Sequence, residues 1–280
     1  MLPVMVIVRL SGGLGNQLFQ YAAARALALR LGTALKLDLS VYREAEHLTP
    51  RTFDLGHFSI EASPSGIREE LMMQFWSQPR HYTVARIARR WGCPLGLLTL
   101  DDLKQGYDPR LENARGDILL TGYWQSERNF AAAEEGIRRE FAFRSAPTGR
   151  NAELAERIGT IDSVFIHVRR TDYLTPAWTT VNGHLGLDYY SAAIERMGRE
   201  VGTPHFFVFS DDPEWTQENL SAAYPMTHVT HNTGPMAAED LRLMSLCRHA
   251  IMPKSTFSWW AVWLGARKGV VIAPEGWSLD

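Results

Sequence analysis

The 280-residue chain has few cysteines, almost no net charge and no long apolar segment. Cys93 and Cys247 lie far apart, which supports neither a disulfide framework nor a zinc cluster and is typical of a reducing, cytoplasmic environment. The net charge of −2 gives no general reason to bind nucleic acid. The apolar stretch at 2–10 is interrupted by Arg9 and is shorter than the ~20 residues that cross a bilayer.

Hydrophobic periodicity predicts an α/β fold in two parts. A β-branched strand at 4–10, a helix at 16–31 and a strand at 34–39 form a βαβ unit. Proline and glycine interrupt the apolar pattern at 144–149, which predicts a linker there. We therefore place an N-terminal domain at 1–146 and a C-terminal domain at 147–280.

The C-terminal half alternates strands and helices regularly. Predicted strands lie at 163–168, 205–209, 227–229, 250–252 and 269–272, and predicted helices at 188–201, 213–223, 238–248 and 256–266. This alternation predicts a doubly wound sheet that binds its ligand at the carboxyl ends of the strands.

Two arginines and a carboxylate follow the strand at 163–168. Arg169 and Arg170 carry planar guanidinium groups, which bind phosphate oxygens in pairs, and Asp172 follows closely. A surface ion pair with Asp172 is the alternative interpretation, but the position at a strand end favours a diphosphate site. We interpret His167, on the buried strand, as a core residue or as one that orients the arginines.

Polar residues also follow two later strands. Ser255 and Thr256 open the helix at 256–266, whose first amides and two hydroxyls suit a phosphate. Asp212 precedes Pro213 and is predicted to cap a helix, whereas a carboxylate at Asp211 can accept hydrogen bonds from a purine edge or a ribose hydroxyl.

A glycine-rich turn joins the first strand and the first helix. Gly13 and Gly15 match the first two glycines of the dinucleotide-binding fingerprint, but Leu18 replaces the third. Asp38 at the end of the next strand keeps a dinucleotide-dependent oxidoreductase open as an alternative. A second interpretation is that the side-chain amides beside this turn face a sugar or a diphosphate.

Metal ligands are not evident in the pattern. The histidines and cysteines lack metal-ligand spacing, and Asp211 and Asp212 are contiguous rather than arranged as Asp-x-Asp. The sequence thus predicts catalysis without a metal ion or other cofactor.

Six motifs, in order along nearly the whole chain, resemble glycosyltransferase family 11, the alpha-1,2-fucosyltransferases, and bacterial members above all. They are GGLGNQLFQY at 12–21, GYWQSE at 122–127, HVRRTDY at 167–173, FSDDPEW at 209–215, DLRLMSLC at 240–247 and STFSWWAVWL at 255–264. The resemblance implies a GT-B arrangement of two Rossmann-like domains facing a cleft, with GDP-fucose held by the C-terminal half.

The resemblance also implies a reaction: inverting transfer of L-fucose from GDP-fucose to the 2-hydroxyl of a terminal galactose, without metal. The resemblance implies roles for three groups of residues. The expected catalytic residues are Arg169, Arg170, Asp172 and Asn16; the donor-binding residues are His167, Arg169, Arg170, Asp211, Ser255, Thr256, Gly13 and Gly15; the acceptor-binding residues are Gln17, Trp124 and Gln125. Asp172 is either the base or a residue that orients the arginines. A non-catalytic nucleotide- or glycan-binding module is a further alternative.

One segment outside the motifs bears on location. Residues 80–91 form a predicted basic amphipathic helix, with Val84 and Ile87 on its apolar side. Such a helix either packs on the protein surface or rests on a membrane. In the second case the acceptor is a lipid-linked glycan of the surface-polysaccharide type, and the enzyme lies at the inner face of the membrane.

Overall fold

The computed structural model describes residues 4–43, 51–90, 96–102, 106–170, 185–266 and 269–275. The chain divides into two compact units with the border between Arg144 and Ser145, two residues before the border expected from the sequence. None of the described helices combines the length and the apolar character needed to cross a bilayer.

The first unit contains a parallel five-stranded sheet. Its strands are β1 (Met5–Arg9), β2 (Ala34–Asp38), β3 (Ser63–Pro64), β4 (Leu98–Asp101) and β5 (Ile118–Thr121), in the order β3-β2-β1-β5-β4. Its helices are α1 (Leu14–Leu31), α2 (Ile67–Trp76), α3 (Pro79–Arg90), α4 (Arg110–Asn113) and α5 (Glu134–Glu140). Short 3-10 turns lie at Ser40–Tyr42, Leu55–His57, Glu127–Asn129 and Ala131–Ala133.

The core of the first unit forms around β1 and α1. Val6, Ile7 and Val8 are fully buried, as expected for a central parallel strand covered on both faces. Helix α1 ends at Gly32, which adopts the left-handed conformation that glycine tolerates best. Arg25 of α1 donates from Nε to Glu140 of α5 at 2.7 Å, so a buried ion pair joins the two helices.

The second unit contains a second parallel five-stranded sheet. Its strands are β6 (Ser163–Val168), β7 (His205–Ser210), β8 (Met226–Val229), β9 (His249–Ile251) and β10 (Val271–Ile272), in the order β10-β9-β6-β7-β8. Its helices are α6 (Gly149–Thr160), α7 (Leu187–Val201), α8 (Pro213–Asn219), α9 (Ala237–Leu246) and α10 (Thr256–Leu264), with a 3-10 turn at Gly234–Met236. The predicted alternation is confirmed, while α6 was not predicted.

The strand order fixes where each sheet leaves an opening. In the second unit the chain builds β7 and β8 on one side of β6 and then returns to build β9 on the other side. The opening therefore lies between the carboxyl ends of β6 and β9, which is where open α/β sheets bind ligands. In the first unit the corresponding opening lies between β1 and β5.

Candidate active site

Paired charges lie at the carboxyl ends of β6 and β7. The parallel register places Val168 opposite Ser210, and one further step along each strand brings Arg169 to Asp211. The Nε atom of Arg169 lies 3.4 Å from a carboxylate oxygen of Asp211. The backbone amide of Arg170 donates to the other oxygen of Asp211 at 2.8 Å. Asp211 thus holds the chain at the point where it leaves β6.

Arg170 is held from two sides. Its Nε donates to Asp212 at 3.1 Å, and its guanidinium carbon lies 3.8 Å from the ring centre of Trp215, a cation–π distance. Asp212 also accepts from the amide of Trp215 at 3.2 Å, which confirms the predicted helix cap. A guanidinium has five N–H donors, and the pair with Asp212 engages the Nε edge of this group.

His167 connects β6 to α10. Its Nδ1 forms a short hydrogen bond with the hydroxyl of Ser258, and the ring lies against that of Phe257 at 5.6 Å between centres. Burial lowers the pKa of His167 to about 3, and the charge of Arg169 adds to this shift while Asp211 opposes it. The imidazole is therefore neutral at physiological pH.

The N-terminus of α10 lacks a capping side chain. Ser255 occupies the N-cap position in an extended conformation and is buried, yet its hydroxyl makes no capping hydrogen bond. Amides at a helix N-terminus carry partial positive charge, so the first turn of α10 suits an anion. Trp260 of the same helix is fully buried, so its ring belongs to the core.

Two tyrosines of α7 form hydrogen bonds with the carboxyl ends of β6 and β9. The hydroxyl of Tyr190 donates to the carbonyl of His167 at 3.3 Å, and that of Tyr189 donates to the carbonyl of Met252 at 2.7 Å. Both strand ends that flank the opening are therefore anchored to one helix. These tyrosines escaped sequence analysis because they lie outside the six motifs.

A polar cluster lies beyond β8. Asn232 donates to Asp240 of α9 at 2.8 Å and exchanges hydrogen bonds with Asn151 of α6, which also bonds the ring of His231. Burial, with a smaller contribution from the charge of Glu239, raises the pKa of Asp240 to about 7, although the Asn232 bond opposes the shift.

Asn16 and Gln125 meet at the opening of the first sheet. The amide of Gln125 donates to Oδ1 of Asn16 at 2.9 Å. Gly13 is the N-cap of α1, and Gly15 is the second residue of that helix. Buried Gln20 donates to Ser11 after β1 and to the carbonyl of Gly122 after β5, so one amide joins both loops.

Two residues assigned to the acceptor are buried, which corrects that assignment. Gln17 donates to the carbonyls of Gly12 and Thr52 and accepts from the amide of Asp54, so its amide is used within the protein. Trp124 is fully buried and has a φ of 56°, which places its ring in the core. Neither offers a polar group to a sugar.

Asp38 is also used internally. It is buried and accepts from Nε of Arg9 at 2.7 Å and from the amide of Ser40 at 3.0 Å. Although burial opposes the shift, these bonds hold its pKa below the usual range. The carboxylate is therefore committed to the protein rather than to a ribose, which removes the main support for an oxidoreductase.

Two other expectations concern the role of Asp172 and the absence of a metal site. Asp172 lies outside the described residues, so its role stays a prediction. Among the residues that the structure does describe, no group of three or more His, Cys, Asp or Glu side chains is arranged to hold a metal ion.

Comparison with known families decides the classification. The model of Glycosyl transferase family 11 matches residues 114–280. The chain belongs to this family. The match covers the whole second unit and the end of the first, including β5 and the residues that follow it.

Curated relatives extend the similarity to the N-terminal part. The chain is 30% identical to an alpha-1,2-colitosyltransferase of Escherichia coli, over 98% of this chain and 92% of that protein. It is 30% identical to the O-antigen biosynthesis glycosyltransferase WbnK of Escherichia coli, over 96% and 93% respectively. It is 29% identical to the galactoside alpha-(1,2)-fucosyltransferase 1 of Oryctolagus cuniculus, over 63% of this chain and 49% of that protein.

Solved structures share the fold. The fucosyltransferase NodZ from Bradyrhizobium superposes with a TM-score of 0.58 over 99% of this chain and 97% of that chain, at 18% identity. A NodZ alpha-1,6-fucosyltransferase crystal soaked with GDP-fucose gives 0.57 at 19% identity, over 94% and 92% of the two chains. With two parallel α/β sheets, this family 11 glycosyltransferase has a GT-B-like fold.

Proposed function

We propose that the protein transfers L-fucose from GDP-fucose to the 2-hydroxyl of a terminal galactose, with inversion at the anomeric carbon. The observation that carries the proposal is the arginine pair at the end of β6, which Asp211 and Asp212 hold near the N-terminus of α10. Two of the relatives are an alpha-1,2-colitosyltransferase and a galactoside alpha-(1,2)-fucosyltransferase, which supports the 2-hydroxyl as the acceptor atom.

The arginine pair suits the departing diphosphate. When the bond between the sugar and GDP breaks, negative charge grows on the outer phosphate, and guanidinium groups already in place stabilise that charge. Arg169 and Arg170 take this role, and the first amides of α10 together with Ser255 and Thr256 bind the same group. We propose that no metal ion is needed, because these groups supply the positive charge.

Inversion in one step requires a base at the acceptor hydroxyl. Asp211 pairs with the guanidinium of Arg169 and Asp212 with that of Arg170, so the orientation of the arginines does not require Asp172. Of the two roles that the sequence leaves open for Asp172, base or residue that orients the arginines, we therefore favour the base. The neutral ring of His167 positions α10 rather than exchanging protons in the reaction.

The first unit supplies the acceptor contacts in this proposal. Asn16 and Gln125 carry donors and acceptors that suit sugar hydroxyls, at the carboxyl end of β1 and β5. Gly13 and Gly15 lie at the start of α1, and a helix N-terminus suits a phosphate or a hydroxyl. Gln17 and Trp124 are not part of the proposed acceptor site.

A second donor is supported by one comparison. The similarity to a colitosyltransferase covers nearly the whole chain, so a GDP-linked 3,6-dideoxy sugar is the alternative to fucose. Colitose lacks the 3-hydroxyl of fucose, and a site built to bond that hydroxyl discriminates against its loss by ~10⁴-fold or more. The similarity to WbnK supports an acceptor of the O-antigen type, carried on a lipid at the inner face of the membrane.

The test is a donor competition with an anomer readout. Purified protein receives equimolar GDP-fucose and GDP-colitose with a galactose-terminated oligosaccharide, and NMR identifies the linkage and anomer of the product. We expect an α-1,2-fucosylated product at equal rates with and without a chelator. A colitosylated product would select the second donor, and a rate restored only by magnesium or manganese would overturn the metal-free mechanism. Binding of GDP without any transfer would instead support a non-catalytic module.

A further inference from the structure

Helix α2 exposes an apolar stripe on its outer side. Ile67, Leu71 and Phe75 are 78%, 60% and 51% exposed. Residues four apart lie above one another on a helix, so these three side chains form one continuous stripe. Outer helix faces in globular proteins are normally polar, and contiguous exposed apolar surface marks an interaction site.

This stripe is not used in the packing of the first unit, because it is the opposite side of α2 that packs against the sheet. Met73 is buried in a cluster with Met5 and Ile7 of β1 and Leu119 of β5, and Trp76 packs against the same cluster. The helix is therefore apolar on two sides, and the packing of the first unit uses one of them.

Helix α3 continues the exposed surface. His81 stacks on Phe75 with 3.8 Å between ring centres, and its Nδ1 lies 2.8 Å from the Phe75 carbonyl, which joins the two helices. Val84 and Ile87, three residues apart, are 53% and 54% exposed. The apolar side of the predicted amphipathic helix is thus not packed into the protein at these two positions.

The charged residues of α3 are all of one sign. Residues 79–90 contain four arginines and no acidic residue. Of these arginines, Arg80, Arg86 and Arg90 are exposed.

The acidic residues of α2 are already engaged. Glu69 accepts from the amide of Gly66, and Glu70 pairs with Arg43 at 2.7 Å. The surface formed by α2 and α3 is therefore both apolar and basic.

We propose that this α2–α3 surface, formed by Ile67, Leu71, Phe75, Val84, Ile87, Arg80, Arg86 and Arg90, binds the anionic face of a lipid bilayer. Apolar side chains beside arginines are the combination by which interfacial helices enter the headgroup layer. Each arginine near an anionic membrane strengthens binding about fivefold, so three contribute about 100-fold.

The charge argues against a second copy of the chain as the occupant. Pairing this surface with itself would bring arginines of two copies together, and like charges at an interface oppose association. Membrane binding would keep the first unit at the bilayer, where a lipid-linked acceptor is found. This last consequence rests on the proposed function, whereas binding to the bilayer does not.

The test is flotation of the full-length protein with two kinds of vesicle, pure phosphatidylcholine and a mixture of phosphatidylcholine with anionic phosphatidylglycerol. We expect flotation with the anionic vesicles and its decline with added salt. The variant with Arg80→Glu, Arg86→Glu and Arg90→Glu should lose at least about 100-fold in partitioning. The control variant carries Arg150→Glu, Arg157→Glu and Arg199→Glu, which reverses three exposed arginines of the second unit and changes the net charge equally. It should lose much less.

A second variant tests the apolar part without changing charge. Leu71→Asn with Ile87→Asn should lower partitioning about tenfold, with thermal melting and GDP binding unchanged. Equal flotation of the wild type and both variants would overturn the proposal. So would light scattering that shows a dimer abolished by Leu71→Asn and Ile87→Asn, because the occupant would then be a second copy. Transfer to a free oligosaccharide should survive in every variant, which separates this proposal from the proposed function.

Discussion

His167 and Ser258 form a hydrogen bond across the point at which the sheet of the second unit reverses its direction of growth. His167 lies near the end of β6, and Ser258 lies in the first turn of α10. The bond therefore fixes the distance between the helix N-terminus and the arginines that follow β6. Burial lowers the pKa of His167 to about 3, so the imidazole that makes this bond is neutral at physiological pH.

Removal of the Ser258 hydroxyl should loosen this connection. Ser258→Ala leaves a buried ring nitrogen without its partner, and we expect the free energy of unfolding to fall by about 1–3 kcal/mol. Affinity for GDP should fall about tenfold, because the first turn of α10 is no longer held beside β6. Urea unfolding and calorimetry measure the two effects. Ser258→Thr, which keeps the hydroxyl, is the control; unchanged GDP affinity in the alanine variant would contradict the positioning role.

Arg170 should be needed for the reaction rather than for folding. Arg170→Ala is expected to lower kcat about 10²–10³-fold, as loss of one preorganised donor to a developing anion does. Arg170→Lys should not restore the rate, because an ammonium group cannot pair with Asp212 and stack on Trp215 as a planar group does.

The control for Arg170 is Arg196→Ala, which removes an exposed arginine paired with Glu200 on α7. Steady-state rates with GDP-fucose and a galactoside provide the comparison. If Arg170→Lys turned over at the wild-type rate, charge alone would suffice, and the geometric part of the argument would fail.

Asp240 should make stability depend on pH in a defined direction. The pKa of Asp240 is raised from 3.8 to about 7 in the folded protein. Between about pH 4 and about pH 7 its carboxyl group therefore keeps its proton in the folded state and loses it in the unfolded state. Its contribution to stability is therefore present below about pH 4 and declines as the pH rises to about 7. Asp240→Asn removes this dependence.

The Asp240→Asn variant should accordingly gain stability relative to the wild type between about pH 4 and about pH 8. Denaturant unfolding of both proteins at the two pH values measures the difference. An identical pH dependence would show that Asp240 ionises normally. Asn232→Ala is the companion variant, because loss of the bond that opposes the shift should raise the pKa of Asp240 further.

Asn16 and Gln17 should behave differently although they are adjacent. Asn16→Ala and Gln125→Ala are expected to raise the KM for the acceptor several-fold with little effect on melting, because this pair lies at the opening of the sheet. Gln17→Ala should lower stability by about 2–3 kcal/mol, since buried backbone groups lose their partners. Its acceptor KM should stay close to that of the wild type. The reverse pattern would return Gln17 to the acceptor site.

Gly122 should tolerate no side chain. Its φ is 92°, and a Cβ there would lie 2.7 Å from the Cβ of Asp102 and 3.0 Å from its backbone nitrogen. Gly122→Ala should cost about 2–4 kcal/mol, the sum of backbone strain and overpacking. Gly32→Ala is the matched control, with a φ of 63° but nothing within 4 Å, and should cost about 1–2 kcal/mol. Equal melting temperatures for the two variants would reject the steric argument.

The second unit was predictable because its strands are apolar runs bounded by clear turn signals. β6 was predicted at 163–168 and spans Ser163–Val168, and the cap of α8 at Asp212 followed from the proline after it. The first unit was harder, because β4 has four residues, with only Leu100 buried, and α2 is apolar on two sides. Such elements lack the single period that distinguishes a strand from a helix.

The sequence predicted which residues form the candidate site, but not which of them contact one another. The motifs placed Arg169, Arg170, Asp211 and Ser255 at strand ends, whereas their partners depend on strand order. Knowledge that β6 and β7 are adjacent would have sufficed, since the contiguous arginines then face the contiguous aspartates in register. The burial of Gln17 depends on contacts with the chain at Thr52 and Asp54, a distance that no local pattern encodes.

The pairing of Arg169 and Arg170 with Asp211 and Asp212 has a consequence for how the nucleotide arrives. At long range the charges of these four side chains sum to zero, so the field that they present to a distant GDP is weak, and the guanidinium groups act on a phosphate only at contact distance. Capture then relies on directional contacts made only at close range, and the association rate should vary little with ionic strength. The same neutrality lowers the electrostatic barrier to departure of the spent nucleotide.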